Sequence, residues 1–134
     1  MKIYLLLIPF LILSRNSKNK LEGKTQTVRL RYIAWACACA NWHNVDDTTE
    51  YKNQDKLAAH CIFIEPADDV ATMPDTLGYN GDMIEFTGQY YKNKGYAKGY
   101  IKTEEQVDPA KIFRYTHFRV IQSHYSAFKD ELKK

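Results

Sequence analysis

The stretch that most constrains this chain is residues 82–91, DMIEFTGQYY. Ile84, Phe86 and Tyr90 fall on one side together with Gly88, while Glu85, Thr87 and Gln89 fall on the other. Period two with one apolar face specifies a half-buried β-strand, because successive side chains of a strand leave opposite faces. A glycine inside such a strand marks a bulge or a sharp bend, as small barrels need at their corners.

Other segments repeat the pattern. Residues 27–34 alternate Val28, Leu30, Tyr32 and Ala34 with Arg29, Arg31 and Ile33, and residues 60–65 (HCIFIE) read as a strand closed by Pro66 and Asp68-Asp69. Over residues 113–121, Phe113 and Tyr115 share a face and so do Phe118 and Val120. Those pairs are out of phase, which predicts a bulge near Thr116-His117. Residues 95–101 read as a loop leading to a short edge strand, and Pro74, Gly78 and Asn80-Gly81 as turns. Asp46-Asp47 is a candidate helix cap, and Asp108-Pro109 a candidate start for one helical turn. Many strands, turn-rich connections and little helix suggest closure into a barrel, which removes exposed edges. With 134 residues the chain has room for one domain. The expected class is mainly β: a small five-stranded OB-like barrel with one or two short helices.

The glycine and acid that open residues 81–91, followed by h-x-h-x-G-x-h, form a pattern similar to a strand found in many OB-fold proteins. The W-x-C-x-C-x-x-W run from Trp35 to Trp42 resembles a segment of uncharacterised small exported proteins of bacteria. Together the two cover about 20 residues; the resemblance implies an OB-fold-like barrel and export, and it brings no assigned activity.

Met1-Lys2 precedes an apolar run over residues 3–13, too short for a hydrocarbon layer that needs about 20 residues. A short cationic start followed by such a run matches a secretory signal peptide. Residues 1–14 are therefore expected as the signal peptide, 15–24 as a linker and 25–134 as a single OB-like domain, periplasmic or secreted to the cell surface or beyond. The mature chain is expected to have no transmembrane span. Lys129-Asp130-Glu131-Leu132 resembles a retention tetrapeptide, but two lysines follow it and that address is read only at the C-terminus. It reads as the end of a charged terminal helix.

Charge is divided unevenly. Residues 1–24 hold five cations against one acid, and the other 110 hold 14 cations against 15 acids. A nearly neutral domain offers no cationic footprint for nucleic acid, which is not the expected partner.

The chemically densest stretch is residues 28–43, VRLRYIAWACACANWH. If extended, Cys37 and Cys39 point to one face roughly 7 Å apart, near the limit of disulfide geometry. A bridge from one of them to Cys61 is geometrically easier, and an oxidising compartment favours it. Three buried inert thiols are an alternative. So is a metal or redox site, in which the three cysteines with His43 or His60 supply the ligands that copper or zinc prefers. No cofactor is otherwise expected. Glu65, Asp68 and Asp69 read as a solvated acidic turn rather than calcium ligands, and His117 and His124 as polar surface residues.

Residues 90–119 form a second surface, with seven cations against three acids and five interleaved tyrosines. Stacking aromatics with cations suit polymer binding. Tyr90, Tyr91, Lys92, Lys94, Tyr96, Lys98 and Tyr100 are the candidate contacts, for an anionic polymer or glycan. The alternative is that the tyrosines fill the barrel while the lysines solvate its edge. No nucleophile elbow, zinc-protease helix, phosphate loop or dinucleotide fingerprint occurs. The leading expectation is an exported, non-enzymatic binding module; a metal- or redox-handling protein using the Cys/His cluster competes with it, ahead of an enzyme with a Cys nucleophile.

Overall fold

A computed structural model of the chain describes residues 19–79, 81–103 and 105–123. The expected signal peptide, His124 and the terminal helix lie outside the described residues. Five strands and one short helix follow in the order β1 (Leu21–Tyr32), β2 (Trp42–Asn44), α1 (Gln54–Ala58), β3 (Phe63–Pro66), β4 (Met83–Tyr91) and β5 (Ile112–Gln122). They make one curled sheet of order β2-β1-β4-β5-β3, a mainly β, OB-like half-barrel. Its neighbours are antiparallel except for β3 and β5, which run parallel. The edge strand β2 meets the residue just before the other edge strand, β3, at one bridge, where Trp42 N–H donates to Ile62 O at 3.2 Å and Ile62 N–H donates to Trp42 O at 2.9 Å.

β4 lies at the centre of the sheet, as its alternation demands. Ile84 and Phe86 are fully buried, opposite Leu30 and Val28 of β1. Across β4 and β5 the register steps from Thr87↔His117 to Gly88↔Tyr115, so Thr116 is the extra residue. A Cβ on Gly88 would stand 2.0 Å from Arg114 O, so only glycine lets β5 come this close. The bulge returns Phe118 to the face that Phe113 and Tyr115 already occupy, and all three pack against the main core. It sits where the out-of-phase aromatics place it.

That main core is Val28, Leu30, Trp42, Ile62, Ala71, Ile84, Phe86, Phe113 and Tyr115. Trp42 stands edge-on to Phe86 at 5.5 Å. Gly78 abuts the Trp42 ring with φ +93°, and a Cβ there would lie 2.6 Å from it. Positive φ and the close approach both call for glycine. The buried Asp82 carboxylate accepts from Gly78 N–H at 3.3 Å and holds this turn.

A second cluster lies on the opposite face of β3 and β5: Ala40, Cys61, Phe63 and Ile112, packed by Ile33, Trp35, Tyr91, Ala97, Tyr100 and Ala110. Residues 61–63 and 112–113 are thus buried on alternating sides. This is why HCIFIE reads as a near-continuous apolar run.

Several boundaries differ from the sequence reading. β1 starts at Leu21, inside the stretch assigned to a linker, because residues 21–32 pair with β4 through an irregularity between Glu22 and Gln26. The helix is capped by Asn53, whose side chain accepts from Lys56 N–H, not by Asp46-Asp47. Residues 108–110 are not helical, since Ala110 bridges to Gly95; the loop expected at residues 95–101 is present, with a turn at Lys98-Gly99, but no edge strand follows it among the described residues.

Candidate functional site

The chain between β4 and β5 runs over the second cluster and carries most of the predicted surface. Gly95 and Ala110 exchange backbone hydrogen bonds at 2.9 and 3.0 Å and close its neck. Inside this loop Tyr100 N–H donates to Ala97 O at 3.0 Å, forming a turn with Gly99 at φ +84°. The turn brings Tyr96 and Tyr100 into a stack, centroids 4.8 Å apart and planes 30° from parallel. Phe63 supports both from below, at 6.2 Å from Tyr96 and 5.7 Å from Tyr100. The Tyr96 hydroxyl donates to Val107 O at 2.6 Å and ties the stack to the far arm of the loop.

One carboxylate holds this arrangement. Glu65 of β3 is only 7% exposed. It accepts from the Tyr91 hydroxyl through Oε1 and from Lys98 N–H through Oε2 at 2.7 Å. Burying a carboxylate is costly unless charge-assisted hydrogen bonds satisfy it, and these two do so. Burial and the Glu65 contact push the Tyr91 hydroxyl up to about 12. The sequence reading placed Glu65 in a solvated acidic turn; it points inward, while Asp68 accepts from Ala71 N–H at 2.9 Å. The signal was available, because Glu65 shares the face of Cys61 and Phe63 in a strand buried on both sides.

The stacked tyrosines border a cavity of about 360 Å³, with Lys102, Glu105, Gln106 and Asp108 among its polar lining. Tyr96 is 43% exposed, and the neighbouring Ile101 is 79% exposed. Lys92, Lys94 and Lys98 are exposed on the same loop. Tyr90 belongs elsewhere: it packs edge-on to Phe113 at 4.9 Å against the main core, with Lys111 Nζ 5.9 Å from its ring centre. For Tyr90 the barrel-filling alternative holds, and Tyr91 serves as an anchor for Glu65.

Cysteine placement corrects the expected pairing. Cys37 and Cys39 are in close sulfur–sulfur contact with Cα atoms 5.2 Å apart, and Cys61 is free and buried. The expectation of a bridge to Cys61 rested on an extended segment, whereas residues 36–39 bend. Bending shortens the span between Cys37 and Cys39. Cys61 Sγ–H donates to Leu57 O at 3.6 Å. Burial pushes this thiol up, and the Trp35 indole N–H, whose geometry falls short of a full hydrogen bond, offsets only part of that.

The two histidines flank Tyr51 rather than the C-x-C pair. The His43 ring lies 6.2 Å from Tyr51, with its Nε2 buried and unpartnered, and the exposed His60 ring lies 4.8 Å from Tyr51. His60 Nδ1 is 2.8 Å from Lys56 O. The Tyr51 hydroxyl donates to Asp47, which also accepts from Thr49 N–H at 3.0 Å. Hydrogen bonds from Thr49 and Tyr51 hold Asp47 down at about 2. Among the described residues, no group of three or more His, Cys, Asp or Glu side chains is placed to hold a metal ion. No helix among them is long and apolar enough to cross a membrane.

Compared with known families, curated proteins and solved structures, the chain matches no family model, no curated protein and no solved structure.

Proposed function

We propose that this protein is an exported binding module that holds a glycan against the Tyr96–Tyr100 stack. The observation that carries the reading is that stack at the edge of a cavity lined by Lys102, Glu105, Gln106 and Asp108. Aromatic faces pack on the C–H faces of sugar rings, while carboxylates, amides and ammonium groups bond the hydroxyls at their rims. One cation with two acids in the lining favours a hydroxyl-rich ligand over a purely anionic one. Lys92, Lys94 and Lys98 lie outside the lining, where they suit the acidic substituents of a longer polymer. The loop between the fourth and fifth strands is also one of the places where OB barrels take oligosaccharides. That analogy concerns the fold alone, and the stack is the argument from this chain.

Affinity electrophoresis of the full chain through gels containing neutral or acidic polysaccharides tests the reading. Retardation by at least one polymer, weakened about tenfold or more in Tyr96→Ala/Tyr100→Ala, is the expected result. Charge removal at Lys92, Lys94 and Lys98 should weaken retention on acidic polymers only. No retardation by any polysaccharide, or equal retardation of the double variant, would overturn the proposal.

A further inference from the structure

We propose that Cys37 and Cys39 form a redox-active disulfide that oxidises peptide dithiols. This activity is separate from glycan binding and does not rest on it. Cys37 and Cys39 are in bonding contact with a single residue between them, so the bond closes a very small loop. A disulfide gains chain-entropy stabilisation with loop length, and so small a loop gains little. Both cysteines are half-exposed, and exposed, weakly held disulfides are the exchangeable ones.

The surroundings supply what exchange needs. The C-x-C excursion is anchored at its ends, where Ile33 N–H donates to Asn41 O at 2.7 Å and Ala40 is buried in the second cluster. Reduction therefore leaves both thiols side by side, ready to re-form the bond. Cys39 lines a cleft of about 350 Å³ between the C-x-C segment, α1 and the β4–β5 loop. Lys94 lines the same cleft with Asp55 and Asp108; its ammonium favours the thiolate form of an incoming cysteine, and the two carboxylates oppose it. Cys61 takes no part, because burial keeps its thiol protonated and its Sγ–H is directed at Leu57 O.

The step is a two-electron exchange. A substrate thiolate attacks Cys39 Sγ, the bond to Cys37 breaks, and its electron pair leaves as the Cys37 thiolate. The second substrate thiolate then attacks the substrate sulfur of the mixed disulfide and releases the Cys39 thiolate. The substrate ends as a disulfide and the C-x-C pair as a dithiol, which takes up the two protons that the substrate thiols gave up. A low-molecular-weight disulfide restores the oxidised pair by the same exchange in reverse.

The test follows oxidation of a reduced two-cysteine peptide by the oxidised full chain, with thiol alkylation and intact mass as the readout. Oxidation about tenfold or more faster than by equimolar oxidised glutathione is expected. Cys39→Ser should abolish it, Lys94→Gln should slow it severalfold, and Cys61→Ser should leave it unchanged. In the reverse direction, Cys37→Ser should trap a mixed disulfide at Cys39 when given a disulfide peptide. Circular dichroism verifies that each variant is folded, and the wild-type rate alone decides the matter if one is not. The proposal falls if folded protein treated with oxidised glutathione keeps three free thiols, or if its exchange rate does not exceed that of glutathione. Loss of exchange in Cys61→Ser with retention in Cys39→Ser would equally overturn it.

Discussion

The two buried clusters on opposite faces of β3 and β5 are built differently. The main core takes seven of its nine buried members from four strands, which the sheet's own hydrogen bonds hold together. The second cluster has four buried members, and the residues packed over it come largely from loops, Trp35 on one side and Ala97 and Tyr100 on the other. Its covering segments are fastened by a few polar ties, of which Glu65 makes two. Stability is thus concentrated on one face and the candidate chemistry on the other. Loops held by a few ties open at lower cost than a strand ladder, which suits segments that must admit a ligand.

The comparison breaks most directly at Phe86. Phe86→Ala removes a fully buried ring from the centre of the main core and should cost about 3–5 kcal/mol, read as a lowered urea midpoint. Truncating the half-exposed stack with Tyr100→Ala should cost clearly less while weakening glycan retention. Equal losses from the two would mean that the loop-covered face is as much a part of the folding core as the strands.

Gly88→Ala comes next. Its methyl would collide with Arg114 O and with Tyr115 Cα, 2.0 and 2.7 Å away, and neither is a side-chain tip that can swing aside. A loss of about 3 kcal/mol is expected, at the top of the range for overpacking. A neutral result in thermal unfolding would mean that β5 can slip and that the Thr116 bulge is dispensable.

Both of these sites were legible in the sequence, because period two and its phase break are local. Ile84, Phe86 and Gly88 declare a bent strand, and the mismatch between Tyr115 and Phe118 declares the extra residue. The second face was only partly legible. Tyr96 and Tyr100 are four apart, a spacing with no meaning in a strand, and only the Ala97–Tyr100 turn brings them together. Glu65 looked solvated because its neighbours Asp68 and Asp69 are, although strand phase put it on the inner side. The cysteine pairing failed for a physical reason, since small residues allow a bend where alternation suggested extension. Fold followed from periodicity, while the site depended on contacts between loops far apart in sequence.

Glu65→Gln sharpens the contrast at intermediate size. The amide keeps one acceptor but places a donor where Tyr91 O–H or Lys98 N–H already donates, at a cost of about 1–2 kcal/mol. Its larger effect should be local. Limited proteolysis within residues 92–111 should accelerate well before the global midpoint moves in proportion. Cleavage unchanged from wild type would mean that the Gly95–Ala110 neck alone fixes the loop.

The smallest effect is a pH dependence at the same tie. Tyr91 ionises near 10 when unfolded and at about 12 in the folded chain, because burial and the Glu65 carboxylate both oppose a phenolate. A raised pKa means that the folded state keeps a proton which the unfolded state releases. The contribution is therefore complete below pH 10 and is lost as pH rises towards 12. Tyr90, Tyr115 and Tyr51 are also raised, so an alkaline decline of the wild type alone assigns nothing. The difference between wild type and Tyr91→Phe isolates the site. At neutral pH the variant should be weaker by about 1 kcal/mol, the worth of one hydrogen bond. Between pH 10 and 12 the gap should narrow, because only the wild type has a Tyr91 proton to lose. A gap constant across that window, measured by urea unfolding, would mean that neither burial nor the Glu65 carboxylate raises Tyr91 in the folded chain.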